Sequence, residues 1–103
     1  MRLVDLAPEF LRHEGRTLMG VRFDQAQSIW FECPVCRDGR GHHVLVSFAG
    51  RGLADDQGSQ GREGKPSRWE VSGTGFGDLT LKPSVDCTPS CPWHGFVTNG
   101  EVT

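Results

Sequence analysis

The chain lacks an excess of positive charge, any long apolar run and any internal repeat, and each absence narrows what it can do. Eleven Lys and Arg stand against thirteen Asp and Glu, a formal net charge of −2. The overall electrostatic footprint of a nucleic-acid binder is therefore missing, although a local basic patch remains compatible with that balance. The opening M-R-L-V-D-L-A-P-E-F mixes charges into its apolar residues, so it reads as neither a secretory signal nor a membrane span. A cytoplasmic location without membrane contact is the expectation, and reducing conditions there favour thiolate ligands over disulfides. No G-x-S-x-G elbow is present. Gly73 to Gly77 reads G-T-G-F-G, but no helical pattern follows it, so it is not a nucleotide fingerprint.

What is present points to a single small domain over residues 1–103. Fourteen Gly and six Pro favour turns and short strands over long helices. Residues 2–15 read as a short strand or turn followed by a loop, interrupted at Pro8 and ended at Gly15. Strands are expected at Thr17–Phe23, at Ser28–Glu32 and, most clearly, at His42–Phe48. In the last of these His42, Val44, Val46 and Phe48 share one face. A hairpin of residues 28–33 with 42–48 follows. Further strands are expected at Arg68–Ser72 and Leu79–Lys82. Asn99-Gly100 between F-V-T and E-V-T is a strong hairpin signal. Ala49–Ser67 holds five Gly, two Ser and one Pro with charges that cancel, and reads as a long, flexible, exposed loop.

Four residues carry the clearest chemistry. Cys33 and Cys36 in E-C-P-V-C-R, and Cys91 and His94 in S-C-P-W-H-G, are two ligand-x-x-ligand steps. Each is short enough for one tight turn to aim both side chains at one ion. Three thiolates and one imidazole suit a tetrahedral, structural Zn²⁺. The expected fold is mainly β, a zinc-ribbon-like sheet stapled by one zinc. Two other readings of the cysteines stay open: two disulfides, or thiols acting as small buried hydrophobes. Cys87, four residues before Cys91, is an alternative to His94 in a Cys₄ site.

The runs C-P-V-C-R-D-G-R-G-H-H-V-L-V-S-F, W-E-V-S-G, L-T-L-K-P-S-V and C-P-W-H-G-F-V-T-N-G-E-V resemble a family of small zinc-binding proteins of tailed phages and prophages. The opening L-V-D-L-A-P-E-F is similar too, so the resemblance spans nearly the whole chain. Members often carry the label "ammonia monooxygenase", an activity for which this sequence has no copper-site or redox-cofactor motif and no membrane span. Related domains occur in bacterial operons with ubiquitin-like proteins and their conjugating enzymes, which implies a peptidase that trims or removes the ubiquitin-like protein. The resemblance places the metal ligands at Cys33, Cys36, Cys91 and His94, and leaves Cys87 out. It also keeps a Pro-Ser pair, here Pro83-Ser84, and a polar residue after the knuckle glycine, here His42.

Ser84 and His42, with Asp86 or Glu32 as the carboxylate, are thus the candidate nucleophile and base. The plain reading is that Ser84 caps a turn and His42 bonds the knuckle. Three functions compete. One is a zinc-stabilised module binding a protein, either a host factor or a ubiquitin-like protein, without chemistry. Another is the serine-type peptidase. The third is a nucleic-acid-binding zinc ribbon using Arg37, Arg40 and Arg51 with Trp30 or Trp93 for stacking. The first is the leading expectation.

Overall fold

The computed structural model describes residues 1–36, 42–87 and 92–103. Among these the chain is mainly β: short strands and single-turn 3-10 segments, with no α-helix. The largest unit is an antiparallel sheet in the order β2-β1-β3-β4. Its strands are β1 (Glu9–His13), β2 (Thr17–Met19), β3 (Ser28–Glu32) and β4 (His43–Ser47). Three two-stranded ladders pack around it: β5 (Glu70–Ser72) with β6 (Thr80–Lys82), β7 (Val85–Asp86) with β8 (His94–Gly95), and β9 (Val97–Thr98) with β10 (Glu101–Val102).

Strand alternation explains most of the packing. Val44, Val46 and Phe48 are buried on the face that the period-two pattern predicts. They meet Ile29 and Phe31 of β3, and Leu3, Leu6, Leu79, Leu81, Val85, Trp93 and Val97 complete one continuous core. Because almost every element contributes to that cluster, the chain is one domain. Ser47 is also fully buried; its hydroxyl lies 2.9 Å from that of Ser28 across the ladder, which satisfies both groups.

The structure departs from the sequence reading at two places. Residues 2–15, expected as a short strand or turn followed by a loop, contain a 3-10 turn at Leu3–Leu6 and then the strand β1 where the loop was expected. Pro8 lies just before that strand, where its missing N–H costs nothing, and Phe10 and Leu11 are buried. The Thr17–Phe23 strand stops at Met19, because Gly20 turns the chain with a φ of 74°. Ala49–Ser67 is a long connection between β4 and β5 that follows a hydrogen-bonded course. The Arg68 guanidinium donates to the carbonyls of Ala54, Gln57, Ser59 and Ser67 at 2.7–2.9 Å. Ser59 N–H donates to Ser47 Oγ at 2.8 Å, fastening the loop to β4. Composition alone could not show that one arginine gathers four carbonyls.

The terminal hairpin forms where Asn99-Gly100 marked it, with φ of 49° and 78°, the left-handed pair a two-residue hairpin turn needs. A Cβ on Gly100 would run into the Gly77 carbonyl, so the close approach is available only to glycine.

Candidate functional site

β7 and β8 are only two residues each, yet they set out the chemistry of the chain. Val85 pairs with Gly95 and Asp86 with His94. Cys87 N–H donates to the Trp93 carbonyl at 3.0 Å, so the Cys87–Trp93 pair is hydrogen-bonded and the Asp86–His94 pair is the closer, non-hydrogen-bonded kind. Asp86 and His94 therefore stand side by side on one exposed face, while Val85 points into the core. Ser84 precedes Asp86 by two residues and lies on that same face by alternation. Its hydroxyl reaches His94 Nε2 at 2.9 Å. The Ser84 carbonyl accepts from the Trp69 indole N–H at 3.2 Å, which holds the backbone of the serine in place.

A second cluster forms at the mouth of the β3–β4 hairpin. Cys33, Cys36 and His42 offer three ligand atoms that all lie within 4.8 Å of one another. Two sulfurs held 2.3 Å from one tetrahedral ion are separated by roughly 3.8 Å, so the spacing suits a single metal. Cys33 N–H donates to the His42 carbonyl at 3.1 Å, continuing the β3–β4 register and setting the two residues opposite each other. Cys33 is fully buried, and His42 Nδ1 is a buried nitrogen with no hydrogen-bond partner among the described residues. An orphaned buried nitrogen is costly unless something ligates it, and a metal between it and two thiols removes that cost. The donor set fits a soft or borderline divalent ion.

The described residues group the two histidines differently from the expected pairing, with Cys91 outside them. The sequence reading put His94 on the metal with Cys33, Cys36 and Cys91, and His42 beside Ser84. In the structure His42 is with Cys33 and Cys36, and His94 is with Ser84. The physical reason is register: each histidine sits opposite its neighbour in a different antiparallel ladder. Cys91, Arg37, Arg40 and the rest of the R-D-G-R-G knuckle lie outside the described residues. Cys87 was within reach of comparison and does not belong to the three-residue group. Glu32 pairs with His43 on the β3–β4 ladder, and the His43 ring packs 4.5 Å from Trp30. Trp93, a candidate for stacking on bases, is 6 % exposed with its ring edge-on to Phe31, so it has no free face to offer.

Comparison with known families adds one finding. Residues 3–103 match the model of BubE, the bacterial ubiquitination-like system serine protease. The chain belongs to this family. No curated protein and no solved structure matches it. The BubE match spans both clusters, and no helix among the described residues is long and apolar enough to cross a membrane. The sequence alone held one unused pointer to the histidine placement. The expected hairpin of 28–33 with 42–48 already ends on residues 33 and 42, which sets His42 across from Cys33.

Proposed function

We propose that the chain is a serine peptidase of a bacterial ubiquitination-like system, with Ser84 as nucleophile and His94 as its general base. The observation that carries this is the 2.9 Å contact between Ser84 Oγ and His94 Nε2 on an exposed face, in a chain of the BubE family. With its proton on Nδ1, the imidazole accepts the Ser84 hydroxyl proton at Nε2 as Oγ attacks a substrate carbonyl. The new acyl–oxygen bond forms, and the tetrahedral adduct collapses as His94 returns the proton to the departing amine or alcohol. Water, deprotonated by the same imidazole, then releases the acyl group from Ser84. Asp86, opposite His94 in the ladder, would then hold the ring by its Nδ1–H and stabilise the imidazolium that forms.

The substrate class is the tail of a ubiquitin-like protein or the bond that joins it to a target, in the bacterial cytoplasm. The reading of a purely protein-binding module has less support, since it gives the exposed Ser–His pair no purpose. The metal is Zn²⁺ held by Cys33, Cys36, His42 and Cys91, a saturated Cys₃His set whose contribution is structural closure of the hairpin. His42 then replaces His94 in the ligand set, which frees His94 for Ser84.

The test is covalent labelling by an alkyl fluorophosphonate, followed by peptide mapping. Wild-type protein should carry the label on Ser84 and Ser84→Ala should carry none. Equal labelling of Ser84→Ala, or an unlabelled wild type under conditions where it is folded, would remove the peptidase reading.

A further inference from the structure

A groove of about 800 Å³ is lined in part by Val85, Asp86 and Cys87, and neither Ser84 nor His94 lines it. One wall is the start of β4, with His43 and Leu45; β4 is the last strand of the four-stranded sheet. The opposite wall is the loop at Gly58–Gly61, and the floor includes Trp69 and Asp86. Two of these residues tie the groove to the reactive serine. Trp69 lines it and also donates its indole N–H to the Ser84 carbonyl at 3.2 Å. Asp86 lines it and pairs with His94 across the β7–β8 ladder. The groove and Ser84 are thus joined through Trp69 and Asp86, although Ser84 itself does not line it.

We infer that this groove receives an extended peptide, the segment of substrate chain that leads to the scissile bond. The inference rests on the peptidase reading and goes beyond it by naming where the substrate lies. A groove lined by residues of β4 and β7, with the Leu45 carbonyl already taken by Ser59 Oγ, suits an extended chain held through its side chains. Its volume falls in the range that encloses a short ligand, roughly 300–1,000 Å³. The loop wall is held by design of the sequence: Ser59 Oγ donates to the Leu45 carbonyl at 2.8 Å, so the loop and β4 keep a fixed separation. The binding energy of such a segment serves to orient the carbonyl over Ser84.

Gln60 is exposed at the loop wall and Leu45 is 39 % exposed at the other, so each accepts a larger side chain without entering the core. The experiment compares two classes of serine-reactive probe: an alkyl fluorophosphonate, and a set of tetrapeptidyl diphenyl phosphonates with small, aliphatic or basic residues. The ratio of the best peptidyl rate to the alkyl rate is measured for wild type, Gln60→Trp and Leu45→Trp, with a thermal melt for each. Filling the groove from either wall should lower that ratio at least tenfold. An unchanged ratio in both folded variants overturns the groove assignment while the peptidase reading stands. A wild type labelled at Ser84 by neither class overturns both.

Discussion

The exchange of the two histidines can be read out by removing each in turn. His94→Ala takes away the proton acceptor 2.9 Å from Ser84 Oγ and nothing else that is buried. Loss of a general base slows reaction by about 10²- to 10⁴-fold, which is roughly 2.7–5.5 kcal/mol of barrier. Stability should change by no more than about 0.5 kcal/mol, as for an exposed residue away from the core. His42→Ala is the opposite case. It removes one of the three donors gathered within 4.8 Å and leaves a cavity beside Cys33. Structural zinc supplies about 10–16 kcal/mol of binding free energy in small metal-dependent folds. If one of four ligands carries a quarter of that, the loss is about 2.5–4 kcal/mol, or a fall in Tm of at least about 10 °C at ~4 °C per kcal/mol. The assay pairs three measurements on each variant: metal per chain by elemental analysis, thermal melting, and the rate of fluorophosphonate labelling. His94→Ala should keep its metal and its Tm and lose labelling; His42→Ala should lose metal and melt early. A His94→Ala protein that has lost its metal but labels at the wild-type rate would refute the placement.

Arg68→Ala should release the Ala54–Ser67 segment from its four-carbonyl clamp, at a cost of about 2–3 kcal/mol since the guanidinium is only partly exposed. Chemical denaturation measures this, and Arg68→Lys should not restore it, because an ammonium cannot fork across four acceptors. Asp78 accepts from Thr74 N–H, the Thr74 hydroxyl and Gly75 N–H, and these bonds hold its carboxyl below the ordinary 3.8. A folded-state pKa lowered in this way stabilises the fold above about 3.8 and is lost as the pH falls through the lower, folded-state value. Denaturant midpoints followed below pH 4 should therefore fall in wild type and fall less in Asp78→Asn, and a carbon-detected titration of Asp78 should show the lowered midpoint directly.

Much of the fold was legible in the sequence because its signals are local. The β3–β4 hairpin rests on β-branched alternation from Ser28 to Ser47, and the terminal hairpin on a dipeptide whose backbone preference is intrinsic. Strand β1 was missed because Pro8 and scattered charges mask Phe10 and Leu11, and only burial against β3 makes them a strand. The hydrogen bonds that fasten the 49–67 loop were not legible in the sequence, because they come from Arg51 and Arg68. Arg51 bonds the carbonyls of Phe23 and Ala26 at 2.9 and 2.8 Å, contacts that no local pattern encodes.

The sequence by itself marked the candidate site residues: two cysteines at a tight-turn spacing, a serine after a proline, and histidines at 42 and 94. Spacing along a chain cannot say which histidine serves which partner, because both lie close in sequence to a cysteine and both tolerate either role. Tertiary structure decided it through strand register. Antiparallel pairing sets His42 opposite Cys33 and His94 opposite Asp86, and a side chain reaches only what its ladder places beside it.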